Sequence, residues 1–375
     1  MNPSRINYDC LKPVRVIGCD IYQSKFVKHL LKLTLITHST LLLLQLYYFF
    51  QTPNMHDLIK YGPLFFQTCY ALLAIVVLLV KNDIVENSMN VIELWDASSA
   101  GNDVKLRIAR ESKQINTFVV INTALALLWA SLVMSSGDNH GEGIFVQQIL
   151  DKLSAHQANF FMVIFKMTMY LWALVVQAHA YQVIYVTQHV KFQMYMCNAL
   201  IESLGSDVEG WENLIRDKVY QEQIESKLKM IIDRHCDFVR WKNNVLMLMG
   251  NLIIPFTIGG IIVGISILLL FLQEGILWHS YMTAVVAFST ALSLIAGGQF
   301  LQDESENMLL QLVKTNWYNW NTGNRKKLVL ILINAAQPIN LKFSEGFVIN
   351  FILLMFMFQA LYSVLSILVK VEYVQ

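Results

Sequence analysis

The sequence predicts an all-α polytopic membrane protein with seven transmembrane helices, the N-terminus cytoplasmic and the C-terminus extracellular, and long cytoplasmic helix extensions. Three observations carry this. The 375-residue chain is 55% hydrophobic and only 15% charged, with a mean hydropathy of +0.46, a balance that a soluble domain of this length does not show. Seven stretches run without charge, or nearly so, far enough to cross a bilayer. The basic residues are one-sided: with the N-terminus inside and sides alternating, about 24 of the 28 Lys and Arg fall in cytoplasmic segments. The outer loops then hold little beyond Lys60 and Lys152. A net charge of +1 gives no reason to expect nucleic acid as a partner.

The elements follow in order. The first 32 residues are basic (Arg5, Lys12, Arg15, Lys25, Lys28, Lys32) and lack the charged, apolar, small-residue order of a cleaved signal, so they are expected to stay in the mature chain. The first span is expected from about Leu33 to Phe50, closed by a turn at Gln51-Thr52-Pro53-Asn54. The second runs from Pro63 to Val80 and the third from Thr117 to Met134, followed by a polar, Gly-rich loop from Gly137 to Gly143. The fourth lies between Ala158 and Tyr185, the fifth between Val245 and Leu272, the sixth from Tyr281 to about Gly298. In the tail, the basic cluster Arg325, Lys326, Lys327 opens a short apolar run that stops at Gln337-Pro338. A second run, Phe347 to Val369, is uncharged and long enough to span. This reads as a cytoplasmic half-helix, a Pro-marked break and a seventh spanning helix.

Several spans continue into amphipathic helix. Phe192, Tyr195, Met196 and Leu200 prolong the fourth, and Met308, Leu309, Leu312, Val313 and Trp317 prolong the sixth. Val219, Ile224, Leu228, Ile231, Ile232, Phe238 and Val239 recur at helical spacing ahead of the fifth. Their apolar stripes must be buried on something, which predicts a cytoplasmic bundle that also packs between subunits, packing within the chain alone being the alternative.

No catalytic constellation stands out. The chain has no HExxH, phosphate-binding Gly-rich loop, GxSxG or CxxC, and the expectation is a protein that is not an enzyme and carries no cofactor. Asp233, His235, Cys236 and Asp237 are metal-ligand types without a ligand spacing and read as a polar helix face. Four of the five cysteines fall on the reducing side and Cys69 within a span, so no disulfide is expected. The polar residues inside spans, His38, Asn122, Lys166, Gln177 and His179, should pair, snorkel or line a wet cavity. Gly260 and Gly264 form a GxxxG suited to close helix packing, and Pro255 on the same helix reads as a kink.

Aromatic and apolar side chains cluster at similar depth in the outer halves of spans two, three, four and six. Phe66, Tyr70, Leu73, Leu125, Trp129, Phe161, Phe165, Met169, Tyr281, Val285 and Phe288 are the candidate lining of a small apolar pocket. Asn122 (with Thr123 or Tyr hydroxyls) supplies its polar handle. An interfacial aromatic belt would place such residues at the same depth.

The tail carries a resemblance. The spaced residues Gly298, Ser305, Trp317, Arg325, Lys326, Ala336, Pro338 and Tyr362-Ser363 resemble the C-terminal signature of the insect odorant receptors, and chain length, seven spans, orientation and His235 ahead of the fifth span agree. A G-protein-coupled receptor would have the opposite orientation, a DRY-type triplet and an NPxxY-type motif, none found here. The gustatory TYxxxxxQF-like motif is absent, since Ala360 follows Gln359. The long insertion of the family's co-receptor between spans four and five is absent too, so the chain resembles a tuning, odour-specific subunit.

The resemblance implies an odorant-gated, non-selective cation channel, tetrameric with the odorant receptor co-receptor, in the plasma membrane of sensory dendrites and in contact with membrane lipid. It implies a small volatile, mostly apolar odorant, aromatic by the lean of the pocket, and a pore lined by the last helix. Leu365, Leu368 and Val369, at i, i+3 and i+4, are its expected hydrophobic gate. Lys370 is expected to face away from a cation path, or to be contributed to it by only some of the subunits. The expected organisation is a cytoplasmic segment 1–32, spans one to four with the pocket (33–187), a cytoplasmic helical anchor (188–244), and spans five and six (245–302). Cytoplasmic helices with the broken half of helix seven (303–343) and the pore helix (344–375) follow. Competing readings are a gustatory-type channel and a transporter, though transporters show internal repeats and paired broken helices.

Overall fold

In the computed structural model the described residues are 9–51, 53–81, 83–135, 155–204, 214–274, 278–344 and 347–372. The loop expected at Gly137 to Gly143 lies outside them, as do the side chains of Lys166, Leu368, Val369 and Lys370.

Helices dominate: α1 Lys25–Gln51, α2 Met55–Val80, α3 Asn102–Ser135, α4 Ala155–Glu202, α5 Lys218–Glu274, α6 Trp278–Lys314, α7 Thr322–Ala335 and α8 Phe351–Glu372. Among the described residues six of these, α1 to α6, are long and apolar enough to cross a membrane, and α8 adds a shorter apolar stretch, Phe351–Ile367. The chain is a multi-pass membrane protein. Pro63 and Pro255 sit inside α2 and α5, each within an unbroken helix.

The spans and their extensions are single helices. α4 crosses the whole molecule and packs on α6, α3 and α2, while α5 runs from the extension end into the bundle against α2 and α8. At the extension end, α4, α5, α6 and α7 share one core that includes Phe192, Phe238, Trp241, Leu312 and Leu328. Arg234, buried there, lies 4.2 Å over the Trp95 ring and donates to Gln193 Oε1. Burial pushes the neighbouring His235 imidazole below its ordinary value, so it stays neutral at pH 7. Asp9, ahead of the short helix Lys12–Arg15, fastens the N-terminal segment to α4 by accepting from Tyr185 Oη at 3.1 Å and pairing with Arg15 at 2.9 Å. Burial works to raise its carboxyl, but the hydrogen bond to His189 and the Arg15 charge outweigh it and hold the group below its usual range.

The tail departs from the expected pattern in one respect. The half-helix and break are present as α7 and Pro338, but the second apolar run does not start as helix. Phe347–Val348 form β2, antiparallel to β1 (Lys342–Ser344). Ile349 N–H continues the pairing to Leu341 O at 2.9 Å, so the backbone at this depth is hydrogen-bonded without helix. Asn350 then starts α8: its Oδ1 accepts from Ile352 and Leu353 N–H at 3.1 and 3.2 Å.

Candidate functional site

The bundle encloses a cavity of about 210 Å³. Each helix contributes the face that its spacing dictates. Ala126 and Trp129 come from α3, and Trp172, Ala173, Val176, His179 and Val183 from α4. Thr283, Val286, Ala287, Thr290, Ala291 and Leu294 make a continuous i, i+3, i+4 stripe on α6. Gln67 and Tyr70 of α2 and Phe256, Thr257, Gly260 and Val263 of α5 close other sides. Ile349, Leu353 and Met357 bring in the start of α8.

One wall is aromatic. Trp129 and Trp172 stack with ring centroids 5.2 Å apart, 4% and 1% exposed. Among the described residues neither indole Nε1 has a hydrogen-bond partner, which leaves two buried donors beside an apolar space. Tyr70 meets Phe256 edge-on at 5.2 Å. The imidazole of His179 is held by Ala74 O at 3.1 Å and Gln182 Oε1 at 3.0 Å.

Beside this cavity lies a satisfied polar network. Asn122 Nδ2 donates to Tyr181 Oη and Thr290 Oγ1, each at 3.1 Å, and its Oδ1 accepts from Ser289 Oγ at 2.5 Å. Tyr181 in turn donates to Gln177 Oε1 at 2.7 Å and accepts from Thr123 Oγ1 at 3.2 Å. These bonds tie α3, α4 and α6 together at one level. Asn122→Leu is expected to destabilise the fold by about 2 kcal/mol, because Tyr181 and Ser289 lose a buried partner. The thermal midpoint of the purified protein measures it, and an unchanged midpoint would show the network to be dispensable.

Of the sequence-selected pocket residues, the structure brings Tyr70 and Trp129 to the cavity wall. Asn122 and Thr123 are engaged in the network, which makes them a brace for the wall where the sequence suggested a handle for a ligand. Phe165 and Met169 are buried in the core behind the tryptophans, with Leu125 packed on it, and Phe165 lies against His38 at 5.3 Å. Phe66, Leu73 and Val285 are half-buried away from the wall. Phe161, Tyr281 and Phe288 are 49%, 48% and 49% exposed, and Phe288 meets Phe358 of α8 at 6.1 Å. Leu365 is half-buried on α8.

The lining from α5 and α8 was missed in the sequence, as were the small residues that create the space. Gly260 has open space where a Cβ would stand, so it widens the cavity where the GxxxG pattern suggested a helix contact, while Gly264 would meet Leu361 at 3.6 Å. A stripe of Thr, Ala and Val on α6 at helical spacing was the available signal.

The comparisons agree with this architecture. The olfactory receptor OR5 of Machilis hrabei in complex with eugenol has a similar structure, with a TM-score of 0.72 at 12% identity, covering 96% of this chain and 97% of that one. A second structure of the olfactory receptor OR5 of Machilis hrabei gives a TM-score of 0.70 at 11% identity over the same shares. No curated protein matches in sequence. The family model described as 7tm Odorant receptor matches residues 54–362. With most of its length matched by that model, and a fold shared with those receptor structures, the chain belongs to the 7tm odorant receptor family.

Proposed function

We propose that this chain is an odour-specific subunit of a ligand-gated, non-selective cation channel, with its odorant in the α2–α6 cavity and its pore along α8. One observation carries the reading: a single cavity touches both the buried tryptophan pair and Leu353 and Met357 of α8. A molecule that fills it contacts the proposed pore helix directly. Burial of apolar ligand surface contributes roughly 25 cal/mol per Å², but it favours opening only to the extent that the open state holds the ligand better. The unpaired indole N–H groups of Trp129 and Trp172 select a ligand with an acceptor oxygen on an apolar body. A small oxygen-bearing aromatic of the kind bound by the Machilis hrabei receptor meets that need.

Assembly with the odorant receptor co-receptor in a tetramer is supported by apolar side chains left uncovered in the single chain. Val329, Leu330 and Ile333 of α7 are 53–64% exposed, as are Ile352, Met355 and Phe356 of α8 at 56–60%. In this reading the N-terminus is cytoplasmic and the receptor sits in the plasma membrane. Leu365, Leu368 and Val369, spaced i, i+3 and i+4 in the sequence, close the pore by dewetting.

The test is whole-cell current in a heterologous cell, with and without the co-receptor, against volatile odorants paired with hydrocarbon isosteres. An evoked cation current that needs the co-receptor and no G-protein signalling is expected, with the oxygenated member of a pair favoured about tenfold. Solute uptake by expressing cells in place of current would replace the channel by a transporter. Met357→Ala and Phe288→Ala are expected to lower the maximal current several-fold while shifting ligand sensitivity less. Unchanged maximal current in both would disconnect the cavity from α8.

A further inference from the structure

A second cleft, of about 560 Å³, opens between α3, α4 and α6 at the level where the apolar runs of all three give way to charge. Ile115, Phe118 and Ile184 form its apolar part. Its polar part carries three carboxylates, Glu111, Asp303 and Glu304, against two cations, Arg107 and Lys191.

Hydrogen bonding divides these groups unevenly. Glu111 draws in both cations and a phenol: Lys191 Nζ lies 2.7 Å away, Arg107 Nε 3.2 Å, and Tyr195 Oη 2.9 Å from each oxygen. Arg107 also lies 3.7 Å over the Tyr195 ring. The other carboxylates keep acceptor capacity. Among the described residues Asp303 accepts from Gln299 on one oxygen only, and the Oε2 of Glu304 has only Arg107, at 3.7 Å. Gln188, 3% exposed, lines the cleft, and its buried Oε1 has no hydrogen-bond partner among the described residues. A buried amide oxygen without a donor is costly to leave so. The cleft is therefore net negative, short of a donor, and continuous with an apolar wall.

The complementary ligand is an amphiphile with a cationic, hydrogen-donating head. At the depth where transmembrane helices leave the hydrocarbon, the bilayer itself supplies one. We propose that this cleft binds phosphatidylethanolamine, its primary ammonium donating to Gln188 Oε1 and the Asp303–Glu304 carboxylates, its phosphate toward the half-exposed Arg107, and an acyl chain along Phe118 and Ile115. A choline head has no N–H to give to Gln188, and a serine or glycerol head brings net negative charge to a negative cleft.

The full-length receptor, purified and delipidated in detergent, is titrated with short-chain phosphatidylethanolamine, phosphatidylcholine and free phosphoethanolamine. Native mass spectrometry reads occupancy and the thermal midpoint reads stabilisation. The ethanolamine lipid is expected to bind about tenfold more tightly than the choline lipid, and Gln188→Leu to erase that difference. Gln188→Glu, which adds charge without changing shape, is expected to widen it. Equal binding of the two lipids in the unmodified receptor would make the contact an unselective lipid annulus and overturn the proposal. So would an unaltered preference in both variants, which would place the lipid elsewhere. Free phosphoethanolamine binding as tightly as the lipid would overturn the membrane source in favour of a soluble amine.

Discussion

Gly298→Ala is expected to remove most of the receptor from the cell surface. Gly298 lies on α6 where the chain segment between β2 and α8 crosses it. A Cβ there would fall on the carbonyl oxygen of Ile349 and stand 3.0 Å from its Cβ and Cγ2. Neither group can retreat: Ile349 N–H is bonded to Leu341 O, and its side chain is 1% exposed. Overpacking against fixed backbone costs about 3 kcal/mol, a large share of the stability of an ordinary domain. Alanine is otherwise the better helix former by about 1 kcal/mol, so the sign of the result discriminates. Surface biotinylation and the thermal midpoint measure it, and normal surface levels would show that the α6–Ile349 contact is looser than the structure has it.

Filling the cavity is expected to silence the odour response in a receptor that still reaches the surface. Ala173→Phe adds a ring from α4 beside the tryptophan pair, and Gly260→Leu adds a side chain from α5 where no atom lies within 4 Å of the new Cβ. Gly260→Leu also improves helix propensity, so it separates lost binding from lost folding. A ligand denied this space loses its apolar burial, and the concentration for half-maximal current should rise on the order of a hundredfold. Phe161→Ala, at an exposed position away from the cavity, serves as the control and should leave the response intact. A full response in both filled variants would move the odorant to another site.

The tail signature acquires physical reasons from the structure. Gly298 allows the crossing of Ile349, and the buried Ser305 Oγ accepts the N–H of Ile339, just after Pro338 ends the α7 connection, at 2.9 Å. Arg325 Nη2 donates to Tyr318 O at 2.6 Å and holds the turn before α7, while Asn321 caps its start. These residues fix how α6, α7 and α8 join, which is a matter of architecture more than of ligand.

By itself the sequence determined the class, the number and approximate limits of the long helices, and their amphipathic continuations. Length without charge is a one-dimensional property, and a helix entering water must show a polar face. The rotation of each helix within the bundle was decided only by tertiary structure. A span that faces lipid on one side and core on the other is apolar all round, so periodicity no longer marks the inner face. That is why Phe161, Tyr281 and Phe288 lie on the outside while Ala173, Gly260 and Ala291 line the cavity. It is also why α5 and α8, distant in sequence from α2 to α4, had to be folded against them before the space they share existed.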